Sequence, residues 1–316
     1  MSDFDPVYVV VATYNGAQWI RGLLKSLRTS RQPCVPVVVD NASTDNTISI
    51  IEEEFPQTLI IPLPENRGFG VANNVGITYA LGKGAEFIFL LNQDAYVLED
   101  TLSQLVGFMS DHPEFGVVSP LHCAAGQERV DPSQQNYLQR FVPSYLSDAC
   151  LNRIQSYYSV RGVNAAAWLV RERAFRYVGG FDPLFFMYGE DDDLINRLEF
   201  HKVPFAIFPS ARVVHLRERA PISERDRVGR IRAASSRTRS VLLVDLKQPN
   251  GRFMGKCLRF VTNGFLRPLL DVLETRDAAR CAAALLASME LLLSLHRVRR
   301  NARVCRGTGP HFLFGD

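Results

Sequence analysis

Over the first 110 residues, short runs of Val, Ile and Phe alternate with longer stretches whose apolar residues recur at helical spacing. Residues 7–12 precede a helical pattern at 17–30, residues 35–39 precede one at 45–54, and residues 87–91 precede one at 100–110. A run that is apolar at every position has no face to offer water. Such strands are covered on both sides, which is the situation in a parallel sheet whose right-handed crossovers are helices. The pattern therefore predicts an α/β fold with a doubly wound, mostly parallel sheet and flanking helices.

Ligands of such sheets bind outside the carboxyl ends of the strands. The segments just past the apolar runs are Thr13-Tyr14-Asn15, Asp40-Asn41-Ala42-Ser43-Thr44-Asp45, Glu65-Asn66-Arg67-Gly68-Phe69-Gly70 and Asn92-Gln93-Asp94, and all four are expected along one edge. Ser43, Thr44 and Asp45 also suit the N-cap of the second helix, a structural role. Gly68 and Gly70 are spaced like part of a phosphate loop, but no third glycine completes the dinucleotide fingerprint.

Further along, residues 122–161 are polar and show no clear period, which predicts a long loop; a strand is expected at 163–170 and a tight turn at Gly179-Gly180-Phe181-Asp182-Pro183. A helix at 191–200, a strand at 204–208 and a short apolar run ending at His215 follow. Between turn and helix stand four consecutive carboxylates, Glu190 to Asp193. Adjacent carboxylates repel, and a fold keeps such a cluster when it faces solvent, binds a cation or moves a proton. Acids also favour the first turn of a helix, and Leu194 and Leu198 follow at helical spacing, so the cluster alone leaves both readings open.

Charge divides the chain. Residues 1–211 carry 15 Lys and Arg against 24 Asp and Glu, a net −9, whereas residues 212–316 carry 21 against 9, a net +12. We expect an acidic body at 1–216 and a basic, mainly helical extension at 217–316 that meets anionic surfaces or phosphates, or packs on the body. Nucleic acid is not the expected partner, because the basic part lacks interleaved aromatics and any recognisable nucleic-acid module. Residues 282–295 are interrupted by Ser288, Glu290 and Ser294 and are too short for a comfortable span. Followed by Arg297, Arg299, Arg300 and Arg303, they read as an amphipathic helix, either packed on the body or lying on an anionic bilayer. The six cysteines show neither zinc spacing nor a disulfide framework and fit a reducing cytosol, and the acidic N-terminus is unlike a secretory signal. The expected location is cytoplasmic, peripheral on the inner face of the plasma membrane if the amphipathic helix lies on the bilayer rather than on the body.

Six segments, taken in order, resemble the family-2 glycosyltransferases of the GT-A fold, and most closely their rhamnosyltransferase-like branch. They are Val-Ala-Thr-Tyr-Asn at 11–15, Val-Asp-Asn-Ala-Ser-Thr-Asp at 39–45, Glu-Asn-Arg-Gly-Phe-Gly-Val-Ala-Asn-Asn-Val-Gly at 65–76, Leu-Leu-Asn-Gln-Asp at 90–94, Val-Gly-Gly-Phe-Asp at 178–182 and Tyr-Gly-Glu-Asp-Asp-Asp-Leu at 188–194. The resemblance covers roughly residues 7–215 and the last third poorly. It implies an inverting transfer of a sugar, rhamnose among the candidates, from a UDP- or dTDP-sugar to the hydroxyl of a glycan acceptor. A polyprenyl-diphosphate-linked acceptor and bacterial surface polysaccharide assembly go with it.

By the same resemblance, Asp40 accepts a hydrogen bond from the N3 of the base, and Thr13, Asn15, Asn66, Arg67, Gly68, Asn73 and Asn92 line the nucleotide. Asp94 matches the last acid of the family's metal-binding motif and holds Mg²⁺ or Mn²⁺, with His215 matching a third ligand found in part of the family. Asn92 departs from the pattern, standing where the motif has its first acid. Asp191 matches the general base, with Glu190 and Asp192 supporting it. Trp168 is read as core or as a sugar-stacking ring, and Arg161 as a diphosphate contact or a loop cap. Two rival functions remain. A nucleotidyltransferase would carry a basic glycine-rich loop after the first strand, which is lacking here; a catalytically silent relative is favoured by Asn92 alone.

Overall fold

The computed structural model describes residues 6–216, 227–270 and 278–314. Its centre is a nine-stranded mixed sheet made of β1 (Val7–Thr13), β2 (Cys34–Asp40), β3 (Leu59–Pro62), β4 (Phe87–Leu91), β5 (Ala95–Val97), β6 (Val117–Cys123), β7 (Tyr158–Val160), β8 (Ala167–Arg171) and β9 (Phe205–His215). The order is β3-β2-β1-β4-β8-β6-β9-β5, with β7 paired to β9. The first four strands are parallel, β8 runs antiparallel between β4 and β6, and β6 and β9 are parallel. Helices α1 (Ala17–Arg28), α2 (Thr47–Glu54), α3 (Phe69–Gly82), α4 (Thr101–Asp111), α5 (Pro132–Phe141), α6 (Ser144–Cys150), α7 (Glu172–Val178) and α8 (Glu190–Phe200) connect the strands.

Alternation along the strands decides which helix each residue meets. Val9, Val11, Val38 and Phe89 pack with Leu23 of α1 and Leu102 and Met109 of α4. Val10, Ile88, Leu90 and Trp168 pack on the other face with Ile77 of α3, Phe175 of α7 and Leu194 of α8. Trp168 is fully buried, edge-on to Phe205 at 5.3 Å, so its role is in the core rather than on a sugar.

Four expectations about elements change. Residues 122–161 hold α5, α6 and β7 instead of one loop; the apolar residues of α5, Tyr137, Leu138 and Phe141, are confined to its second half, so its start is marked only by the Asp131-Pro132 pair, an N-cap followed by proline at the first helical position. Strand β8 starts at Ala167 rather than 163, since the backbone of Ala165 and Ala166 is engaged across the site. The strand expected at 204–208 continues to His215 as β9, and α8 begins at Glu190.

The C-terminal helices are α9 (Arg227–Lys247), α10 (Phe253–Val261) with a π-helical turn at Thr262–Leu266, α11 (Ala278–Leu293) and α12 (Leu295–Val304). The boundary expected between residues 216 and 217 adjoins residues outside the described ones. The described helices share a core with the body: Leu184 and Phe185 pack with Leu243, Leu246, Phe260 and Leu291. At its heart Lys247 Nζ lies 2.5 Å from Asp182 Oδ2 and 2.6 Å from Asp193 Oδ1. Arg197 Nε lies 3.0 Å from Asp193 Oδ2, and the Arg197 guanidinium also donates to the carbonyls of Val178 and Gly180. Asn301 of α12 donates to Asp182 Oδ1 at 2.8 Å. Burial opposes the charge on Asp193, but the ammonium and the guanidinium outweigh it and hold the carboxyl below its ordinary range.

Residues 282–295 largely form α11, which buries the small side chains of Ala283, Ala284, Ala287 and Ser288 and leaves Leu286, Met289, Leu292 and Leu293 exposed. Among the described residues no single helix is long and apolar enough to cross a membrane; α11 and α12 together reach that composition but are bent by 68°.

Replacing Lys247 with Met would leave Asp182 and Asp193 buried without their shared cation. The expected loss of unfolding free energy is about 3–5 kcal/mol, read by urea denaturation, and a loss of under about 1 kcal/mol would contradict this assignment.

Candidate functional site

The four loops past β1, β2, β3 and β4 are tied into one edge by their side chains. Thr13 Oγ1 donates to Gln93 Oε1 at 2.7 Å, and Tyr14 N donates to the same oxygen at 2.9 Å. Asn15 takes a left-handed conformation, φ 48°, and its Oδ1 accepts from Thr44 N while its own N–H donates to Ser43 Oγ. Asp40 is buried, with one oxygen accepting from Ser43 N and the other from Ser43 Oγ. Asp45 is also structural: its carboxylate accepts from Thr47 N at the start of α2 and from Ala17 N at the start of α1.

Asn41, which the sequence reading passed over, joins the second and third loops by donating to Gly68 O at 3.0 Å and accepting from Arg67 N at 2.9 Å. Asn66 Oδ1 accepts from Gly68 N. Gly68 has φ +86°, and a Cβ there would lie 2.1 Å from the carbonyl oxygen of Phe186, so only glycine fits between the third loop and the segment entering α8. Asn73 is buried one turn into α3, and its amide donates to Phe69 O. The nucleotide-side residues thus share one edge, and several already spend side-chain hydrogen bonds on loop shape.

At the other end of this edge, the antiparallel pairing of β5 with β9 brings Asp94 to His215: Oδ1 and Nε2 are 3.2 Å apart. Behind the imidazole lies Asp131, with Oδ2 at 3.5 Å from His215 Nδ1 and Oδ1 capping α5 by accepting from Ser133 N and Gln134 N. Burial works against a charge on His215, but the Asp131 and Asp94 carboxylates outweigh it and raise the imidazole above its ordinary range. A carboxylate on Nδ1 turns Nε2 toward Asp94, the orientation of a metal-ligating histidine. Asn92 Oδ1 is buried with no hydrogen-bond partner among the described residues, a further oxygen from the same turn. Oxygen and imidazole donors in this arrangement fit a divalent cation. Asp131 was missed because only its helix-capping signal is visible in sequence.

The four acids end in four environments. Asp193 is consumed by Lys247 and Arg197. Glu190 is buried against Gly70, and burial together with the charge of Asp191 pushes its carboxyl up to about 8. Asp191 is pushed up to about 6 by burial and then by Asp192; its Oδ2 accepts from Ala165 N at 3.4 Å and its Oδ1 from Asp192 N at 2.9 Å. Asp192 is exposed and accepts from the Tyr137 hydroxyl at 3.2 Å. Because Asn92 N donates to Ala166 O while Ala165 N donates to Asp191, the base candidate and the turn carrying Asp94 flank the same two residues. Arg161 pairs with Glu199 and donates to Asn196, which pins it to α8.

A raised carboxylate set beside a metal-ready turn at the open edge of a parallel sheet is the arrangement of a GT-A glycosyltransferase. Residues 8–178 match the model of glycosyl transferase family 2, and the chain belongs to that family. It is 27% identical over 257 residues to N-acetylglucosaminyl-diphospho-decaprenol L-rhamnosyltransferase of Mycobacterium tuberculosis, covering 67% of this chain and 76% of the relative. It is 25% identical over 213 residues to the dTDP-rhamnosyl transferase RfbF of Shigella flexneri, covering 66% and 68%. The fold is similar to that of the mannosyltransferase PcManGT from Pyrobaculum calidifontis, solved with GDP-Man and Mn²⁺, at a TM-score of 0.56 and 20% identity over 96% of this chain and 85% of that one.

Asp131→Asn tests the carboxylate behind the histidine. Asparagine still caps α5, so the fold is expected to hold, while Mn²⁺ affinity measured by titration calorimetry falls about tenfold. An unchanged affinity would show that Asp131 acts only as a cap.

Proposed function

We propose that the protein transfers a sugar, with inversion, from a nucleoside diphosphate sugar to a hydroxyl of a glycan acceptor. The observation that carries this reading is Asp191, a half-buried carboxylate raised toward neutrality beside the turn that bears Asp94. With its acidity tuned near 6, Asp191 is ionised at neutral pH and still basic enough to take the acceptor's proton as the oxygen attacks. Asp40, Asn66, Arg67 and Gly68 hold the nucleotide along the loop edge, with Thr13, Asn15, Asn73 and Asn92 beside them. Asp94 and His215 hold Mg²⁺ or Mn²⁺, which when bound neutralises the departing diphosphate. Glu190 and Asp192 support the base through their charge and contacts.

The names of the relatives favour a dTDP-linked rhamnose as donor and a polyprenyl-diphosphate-linked saccharide as acceptor; a place in surface polysaccharide assembly goes with that reading. The catalytically silent alternative rests on Asn92. Release of nucleoside diphosphate from a sugar donor in the presence of Mn²⁺ separates the two.

A cytoplasmic protein resting on the inner membrane face fits the extension at 217–316. Leu286, Met289 and Leu293 of α11 and Met254, Leu258 and Val261 of α10 are exposed, as are Arg297, Arg299, Arg300 and Arg303 of α12, a composition suited to an anionic bilayer surface.

Asp191→Asn is expected to lower turnover by about a thousandfold while donor affinity changes by less than about twofold. Wild-type kcat/KM should fall as pH drops below about 6, because the base must be ionised; a flat acid limb, or an active Asn variant, would contradict the assignment. Changing Leu286, Met289 and Leu293 together to Ser should reduce co-sedimentation with phosphatidylglycerol vesicles at least about tenfold, and unchanged sedimentation would remove the membrane reading.

A further inference from the structure

A groove of about 390 Å³ lies between α5, α8 and α9, within the roughly 300–1,000 Å³ of small-molecule sites. None of its lining residues comes from the four loops of the nucleotide edge. Tyr137 and Phe141 supply aromatic surface, and Asn196, Gln248 and Asp192 supply hydrogen-bonding groups that can meet hydroxyls in pairs. Arg140 lies over the Phe141 ring at 5.1 Å and its charge acts on Asp192, though it makes no direct ion pair among the described residues; Arg161 and Asp245, also lining the groove, are paired with Glu199 and Arg259.

The groove meets the acid run at a defined point. Glu190 touches the nucleotide edge, since its Cβ is 3.7 Å from where a Cβ on Gly70 would stand. Asp192 touches the groove, where it accepts from Tyr137. Asp191 lies between them in sequence at the first turn of α8, with its carboxylate bonded to Asp192 N. An inverting displacement needs the attacking oxygen on the side opposite the departing diphosphate. Along the acid run, Glu190 on the nucleotide edge and Asp192 on the groove stand on either side of Asp191.

We propose that this groove is the acceptor subsite and takes a saccharide carried on a phosphate, with the sugar against Tyr137, Asn196 and Gln248 and the phosphate facing Arg140. This rests on the glycosyltransferase reading and deepens it by placing the acceptor. Val241 and Gln248 belong to α9, so the C-terminal helices form one wall of the subsite.

The probe is N-acetylglucosaminyl diphosphate bearing a short alkyl chain, titrated into the full-length protein by calorimetry, with wild type compared with Arg140→Ala and Gln248→Ala. The residues lie on different helices, and thermal unfolding of each variant checks that its fold is retained. Saturable binding by wild type, weakened about tenfold in each variant with Kd for dTDP unmoved, is expected. Equal affinity in wild type and both variants, or no saturable binding by wild type, would overturn the subsite. Donor turnover without acceptor, followed as dTDP released from dTDP-rhamnose, and UDP from UDP-sugars, by wild type, tests the underlying reading separately. Its failure there would count against the enzyme rather than against the groove.

Discussion

Lys247 puts one positive charge, removed from water, between the carboxylates of Asp182 and Asp193, and Arg197 completes the set from the next turn of α8. Withdrawing such charges from water costs several kcal/mol each, and they persist because every partner is in place. The geometry that follows is more important than the net energy. Asp182 belongs to the turn after α7, Asp193 and Arg197 to α8, and Lys247 to the end of α9, so one network ties three parts of the chain together. Asp191 stands two residues before Asp193, and its position is set by that anchoring. Loss of a distant C-terminal contact would therefore move the base.

The acid run shows how burial and partners divide like residues into unlike tasks. Asp193, given two cations, stays ionised and structural. Glu190, given none, is driven toward neutrality. Asp191 lies between these limits, and Asp192 faces the groove. The same logic holds at the other end of the site, where His215 sits between Asp94 and Asp131 and one carboxylate orients the ring toward the other.

Much of the fold was legible because β1, β2 and β4 are apolar at nearly every position and α1, α2 and α4 follow at short intervals. The convergence of the four loops was legible for the same reason, since a parallel sheet brings its strand ends to one edge. Helix α5 was hidden because its apolar residues, Tyr137, Leu138 and Phe141, fall within less than two turns of its second half, leaving Asp131-Pro132 as the sign of its start. The Lys247 network was hidden because partners 54 and 65 residues apart carry no local pattern. In the acid run, sequence showed that the cluster needed a reason but could not separate a residue bound to Lys247 from one facing a groove. Asn41, Asp131 and Arg140 were missed on similar grounds, as their significance comes from neighbours distant in the chain.

The most direct test of the arrangement is a crystal structure of the protein with dTDP and Mn²⁺. The expected result has the base and ribose along the Asp40 and Gly68 loops, the ion on Asp94 and His215, and the Asp191 carboxylate free of the ion and open toward the Tyr137 groove. A nucleotide bound away from those loops, or an ion ligated by Asp191 itself, would contradict the division of the site into donor, base and acceptor sides.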